Sequence, residues 1–287
     1  IGGNGQKVNY GERGACILVS APAGSYSQYR NGLTTTLPGG YTAMFDGTSA
    51  AAPVVTGAIA ILLQNNSHLG WRDVKEIIFR SASKNDPLDF GWMENSAGYK
   101  FNHLYGGGML NITSAIELAN NWTPLETETK IESTTNFIFP SPIPEIPDSP
   151  IIINFEVTQN LRIEHVEVFL KVTHPFRNQI DIKLFSPTYT MSELTTYTSA
   201  PILYYDKADI KDCENVFPCQ EWRFTSVFHW GENATGTWKV IVLDRYSGET
   251  GSIDTCYLKF HGVDMSSSSI YSLPPQSPPT PSPLSPP

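Results

Sequence analysis

The chain has 287 residues, room for roughly two domains with cores of their own, and its hydrophobic content of 40% is ordinary for a globular protein. Nineteen Lys and Arg against 28 Asp and Glu leave a net charge of −9, which argues against a nucleic-acid partner and is compatible with a basic ligand. No apolar run reaches the roughly 18 residues of a membrane span, no membrane anchor is visible, and a chain that opens on Ile1 without a signal-peptide pattern reads as a fragment.

Gly-rich turns lead to Ala15-Cys16-Ile17-Leu18-Val19-Ser20-Ala21-Pro22. This apolar run, bounded by Gly14 and Pro22, predicts a buried strand. Residues 23–46 read as a loop with a short hairpin around Leu37-Pro38-Gly39-Gly40. A helix follows from about Ser49 to Asn65. Its stretch Val54-Val55-Thr56-Gly57-Ala58-Ile59-Ala60-Ile61-Leu62-Leu63 is apolar nearly all round, which predicts burial. Pro53 is expected in the first turn or so, where backbone N–H groups lack intrahelical partners. Trp71–Arg80 places apolar residues at 71, 74, 77 and 78, the period of an amphipathic helix. A further helix is expected from Ile112 to Asn121.

Residues 125–150 are acidic and Pro-rich, a composition that suits a linker and the entry to a new domain. From Ile151 the period changes to two. Strands are predicted at Ile151–Val157, Ile163–Val172, Ile180–Ser186, Trp222–Phe228, Trp238–Leu243 and Cys256–Phe260. Short strands at this spacing, separated by turn residues, predict a β-sandwich. The Ser/Pro-rich end from Leu273 to Pro287 reads as an extended polyproline-type spacer.

Four cysteines occur, and Cys213 and Cys219 flank a short loop that a disulfide could close; the partners of Cys16 and Cys256 stay open. No Cys-x-x-Cys pair or Cys/His cluster suggests zinc. Asn-x-Ser/Thr triplets at Asn65, Asn111, Asn121 and Asn233 lean, with the cysteines, toward a secretory compartment.

The most specific stretch is Phe45-Asp46-Gly47-Thr48-Ser49-Ala50-Ala51-Ala52-Pro53. Gly-Thr-Ser alone is also an ordinary helix N-cap. Ahead of an apolar helix, the whole string resembles the nucleophile segment of the subtilisin-like serine proteases. Leu69-Gly70-Trp71-Arg72-Asp73-Val74 and Gly91-Trp92-Met93-Glu94-Asn95-Ser96-Ala97-Gly98-Tyr99 narrow the resemblance to kexin- and furin-like proprotein convertases. His174-Pro175-Phe176-Arg177-Asn178-Gln179-Ile180-Asp181 and Ser226-Val227-Phe228-His229-Trp230-Gly231-Glu232, followed by Gly236-Thr237-Trp238, resemble their P (Homo B) domain. Relatives often carry Arg-Gly-Asp where this chain has Arg177-Asn178-Gln179.

The resemblance implies three regions. Residues 1–124 would be the C-terminal part of an α/β subtilisin-like catalytic domain. Residues 125–264 would be a linker and an all-β, jelly-roll-like P domain that packs on the catalytic domain. Residues 265–287 would be a disordered tail. It also implies a calcium-dependent serine endopeptidase that cleaves protein and peptide precursors after paired basic residues in the secretory pathway. Ser49 would be its nucleophile.

A serine hydroxyl needs a base to take its proton, and the subtilisin order is Asp, His, Ser. The 48 residues before Ser49 hold one Asp, Asp46, and no His. The triad Asp and His are therefore absent from this sequence, and the chain alone is expected to be inactive. His103, His229 and His261 read as structural or surface residues. Asn4, in Gly2-Gly3-Asn4-Gly5, reads as a turn residue rather than an oxyanion-hole asparagine. Glu12 stands where the convertases have a calcium-ligating carboxylate, and calcium needs several hard oxygen ligands. The alternative is a truncated or inactive homologue whose sandwich serves as a binding or folding module.

Overall fold

The computed structural model describes residues 1–25, 32–144, 150–174, 179–196, 221–246, 248 and 250–266. Leu33–Leu37 (β1) and Gly40–Phe45 (β2) pair antiparallel across Pro38-Gly39. Gly39 there takes φ 82°, in the left-handed region that a side chain resists. No strand forms over 15–22. Ser20 bridges Met109 on one side only, held by Ser20 N–H to the Gly108 carbonyl at 2.8 Å and Leu110 N–H to the Ser20 carbonyl at 2.9 Å. An apolar run becomes a central strand only when it has neighbours to pair with, and this one has a single bridge.

The first helix, α1, spans Thr48–Asn65, and the expectation of burial fails for it. Only Ala50 and Leu62 are buried, while Val54 and Ile61 are exposed. Apolar composition predicts burial only if other residues cover each face, and the described residues cover one end of α1. There Ile59, Leu62 and Leu63 meet Val74, Ile77 and Ala115. At 18 residues and mean hydropathy 1.3, α1 is also long and apolar enough to cross a membrane, contrary to the reading of the runs. Pro53 lies in its second turn, so it has no N–H to give the Ser49 carbonyl four residues back.

Trp71–Arg80 (α2) has the predicted bounds. Asp73 accepts from the Gly70 N–H at its start (2.8 Å), and its other oxygen accepts from the Trp122 indole and the Leu125 N–H, both at 2.8 Å. Met93–Glu94 (β3) and Lys100–Phe101 (β4) form a small ladder. Ile112–Ala119 (α3) is capped by Asn111, which accepts from the Ser114 N–H. It ends before the predicted Asn121.

Residues 125–150 are more than a linker. Thr129–Ser133 (β5) and Ser141–Ile143 (β6) both join the sandwich sheet by pairing with its last strand. The remaining strands are Ile151–Val157 (β7), Leu161–Thr173 (β8), Ile180–Phe185 (β9), Met191–Thr195 (β10), Trp222–Ser226 (β11), Gly236–Asp244 (β12) and Gly251–Asp264 (β13). They form two antiparallel sheets, ordered β10-β9-β12-β7 and β11-β8-β13-β5, with β6 beside β13. Strict alternation along β7 sends Ile151, Ile153, Phe155 and Val157 inward. They meet Val166, Val168, Trp238, Val240, Leu258 and Phe260 between the sheets. The Cys213–Cys219 loop, the residues 175–178 and the tail beyond Ser266 lie outside the described residues.

Helix α2 joins the N-terminal residues to the sandwich. Phe79 stacks on Phe101 at 4.8 Å and lies 5.3 Å from both Tyr99 and Trp230. Glu76, 1% exposed, accepts from Arg162 through both oxygens, and Arg72 grips Glu164 in the same two-pronged way. Removing one partner of a buried pair leaves an uncompensated charge. Glu76→Gln should therefore lower the unfolding free energy by about 3–5 kcal/mol, read by urea denaturation. The double variant Glu76→Gln/Arg162→Met should recover much of that loss; a double variant worse than the single would contradict the pairing.

Candidate functional site

Ser49 sits in the first turn of α1 with its side chain exposed, and its hydroxyl makes no hydrogen bond to a described residue. Gly47, the residue before the helix, has φ 107°, a conformation that favours glycine. Its N–H donates to the Tyr10 hydroxyl at 3.1 Å, and Tyr10 in turn donates to the Gly24 carbonyl, with the Ala23 carbonyl 3.3 Å from the same oxygen. One phenol thus fixes the turn that delivers Ser49. Helix first turns carry N–H groups without intrahelical partners and a positive dipole end. An oxyanion forming at Ser49 would meet both.

Glu12 is exposed on the loop between Gly11 and Arg13. It lines a cavity of about 310 Å³ together with Thr48, Ala51, Ala52 and Val55 of α1. The structure therefore brings Glu12 and the start of α1 to one concave surface. Among the described residues, no group of three close carboxylate, imidazole or thiol ligands includes Glu12. One exposed carboxylate falls short of the six to eight oxygens calcium takes. Asn4 is engaged with Gln6 in a local turn (Gln6 N–H to Asn4 Oδ1, 3.1 Å).

Only one serine among the described residues touches a histidine that also touches a carboxylate. Ser192 Oγ lies 3.2 Å from His229 Nε2, and His229 Nδ1 lies 3.3 Å from Glu232. The arrangement copies a Ser–His–carboxylate relay, but Ser192 and His229 are fully buried and Glu232 nearly so. The carboxylate is also spoken for. It accepts from the Ser96 N–H and hydroxyl, each at 2.9 Å, and from Thr190. No substrate reaches such a serine, so the network ties Ser96 to the sandwich. Sequence spacing gave no sign of it, because its members come from β10 and from the turns at 96 and 229–232.

His103 is likewise structural. Its Nε2 accepts from the Glu193 N–H at 2.8 Å, and burial, with Arg13 and Lys183 nearby, lowers its pKa to about 4. For Glu232, burial alone would raise the pKa. Hydrogen bonds from His229, Thr190 and the Ser96 N–H, with the charge of His229, outweigh that and hold it at about 2.

Residues 3–108 match the subtilase family and residues 163–260 match the proprotein convertase P-domain. A PC3-like endoprotease variant B of Hydra vulgaris is 32% identical over 255 residues, covering 85% of this chain and 34% of that protein. Proprotein convertase subtilisin/kexin type 7 of Homo sapiens is 30% identical, covering 84% and 30%. Kexin of Saccharomyces cerevisiae is 31% identical, covering 77% and 26%. The chain spans about a third or less of the length of these relatives. The solved serine protease of Aeromonas sobria, in complex with its chaperone, superposes with a TM-score of 0.68 at 23% identity over 78% of this chain and 45% of that one. That likeness speaks for the fold.

Acid should weaken the junction in two windows. His103 is neutral in the fold, so below its ordinary value of 6.5 the unfolded chain takes the proton first. Stability then falls as pH drops from 6.5 toward 4. The Glu232 contribution is complete above 4.5 and is lost as pH falls toward 2. Urea midpoints measured across pH 7 to 3 should show both, with His103→Gln making the upper window shallower, since buried His165 contributes to it too, and Glu232→Gln flattening the lower.

Proposed function

The chain belongs to the subtilases of the proprotein convertase kind, and from that premise we propose that Ser49 is the nucleophile of a serine endopeptidase that processes precursor proteins after paired basic residues. The observation that carries the proposal is an exposed, unbonded hydroxyl behind a positive-φ glycine at a helix start, inside the subtilase-matched segment. In the intact protein a histidine oriented by an aspartate, both outside this chain, takes the Ser49 proton as Oγ attacks the scissile carbonyl. The oxyanion is met at the start of α1. The same histidine then protonates the leaving amine, and water releases the acyl group.

The sandwich would serve this site indirectly. It grips α2 through Arg162 and Glu164, and α2 shares an apolar cluster with α3 and the end of α1. The carboxylate of Glu12 would supply at most one ligand to a calcium ion of the intact protein, and no step of the chemistry passes through it. The secretory pathway is the proposed location, as for kexin-type proteases in general. Asn65, Asn121 and Asn233 are exposed, with the Asn65 and Asn233 amides donating to Asn120 and Asn160, whereas Asn111 is half-buried and caps α3.

The test uses the full-length protein and a fluorogenic Arg-x-Lys-Arg peptide. Ser49→Ala should lower kcat by roughly 10⁵-fold or more, while the 287-residue chain alone should show no turnover. Undiminished cleavage by Ser49→Ala would overturn the assignment. An inactive native protein would favour the reading of the chain as a non-enzymatic module.

A further inference from the structure

His165 and His261 are far apart in sequence but are direct cross-strand partners of β8 and β13. Their rings stack with centroids 4.1 Å apart and planes 14° from parallel. Glu167, two residues along β8, brings Oε2 to 3.1 Å from His261 Nε2, and Glu128, just before β5, brings Oε1 to 2.9 Å from His261 Nδ1. One ligand atom from each of His165, Glu167 and His261 lies within 4.8 Å of the others. His165 is only 9% exposed, and its buried Nδ1 has no hydrogen-bond partner.

Hydrogen counting shows what the cluster lacks. A neutral imidazole has one N–H, and carboxylates only accept. His261 therefore satisfies Glu128 and Glu167 together only if it carries a second proton, if one of the carboxyls is protonated, or if a cation takes that proton's place. A buried imidazole nitrogen without a partner is a second unmet requirement. We infer that His165, Glu167 and His261 bind a divalent transition-metal ion of the zinc class, with Glu128 orienting His261 from behind.

The donor set suits zinc. Two imidazoles and a carboxylate leave a fourth tetrahedral position for water, and imidazole donors do not select calcium. Glu128 on Nδ1 completes the carboxylate–histidine–metal arrangement that fixes ring orientation in metal sites. A metal lies in the plane of each imidazole that binds it, so one ring must turn out of the stack. The ligand atoms must also draw together toward bonds of about 2.0–2.2 Å. Three cations face the cluster. Lys130 lies 3.3 Å from Glu128, Arg223 lies 3.6 Å from Glu167, and Lys75 stands near His165. Any proton that the ion displaces from His261 passes to solvent.

The experiment titrates the metal-free 287-residue chain with Zn²⁺ by calorimetry and with Co²⁺ as an optical reporter. One tightly bound equivalent and the intense visible bands of four-coordinate Co²⁺ are expected. His165→Gln and His261→Gln should each lose that equivalent. Glu128→Gln should keep the stoichiometry but weaken binding roughly 10–100-fold. The variant lacking Cys16, Cys213 and Cys219 should bind as the parent does. Absence of binding, or an equivalent that survives loss of both histidines, overturns the proposal. Should the histidine variants not fold, X-ray absorption at the zinc edge of the parent complex decides. Two imidazole shells support the site, and sulfur or purely oxygen ligation refutes it.

Discussion

Arg162 brings a positive charge into a contact that largely excludes water, and that single fact constrains much of the surrounding structure. The charge is paired with Glu76, itself almost wholly buried. Burial alone would lower the Arg162 pKa; the Glu76 carboxylate more than offsets this and keeps it above its usual range. A buried pair adds little net stability, but it punishes misalignment severely. Helix α2 must therefore meet β8 in one register, with Arg72 on Glu164 and Glu76 on Arg162. The charges act as a key for orientation, while the energy comes from Phe79 and the aromatic rings around it.

The string Trp230-Gly231-Glu232 gains a physical meaning from the same contact. Trp230 is fully buried against Phe79. Gly231 has φ 79°, and a Cβ there would stand 2.5 Å from the Tyr99 ring, so both backbone and space exclude a side chain. Glu232 ends the turn by accepting from Ser96. On the other side Asn95 donates to the Phe228 and Trp230 carbonyls, each at 2.9 Å, which satisfies backbone groups that no strand reaches. Three consecutive residues thus supply an apolar anchor, a close approach and a polar lock.

How much could be read without the structure depended on where each residue's partner lay. The bounds of α2 and the inward face of β7 follow from period alone, because local pattern and tertiary environment agree there. The burial of α1 was misjudged because an apolar face is a demand for a partner, not proof of one. Strand β6 hid in a Pro-rich stretch because edge strands tolerate proline. Gly47 and Ser49 were legible from one short string. The His165–His261 pair was not, since only the register of β8 against β13 makes them neighbours, and no short-range spacing encodes a register.

The two cores differ in self-sufficiency, and this bears on how the site is built. The sandwich core is closed by its own strands. The cluster beneath the N-terminal residues is not: Ala15, Phe79, Tyr99 and Phe101 share it with Val227, Phe228 and Trp230. Without those three, Phe79 and Phe101 would lose the apolar surface that buries them, and α2 would lose the face by which it is held. Since α2, through Val74 and Ile77, shares with α3 the apolar cluster that holds the end of α1, the position of the helix that starts at Thr48 depends on side chains more than 170 residues further along the chain. The sandwich residues therefore complete the core on which the helix carrying Ser49 leans.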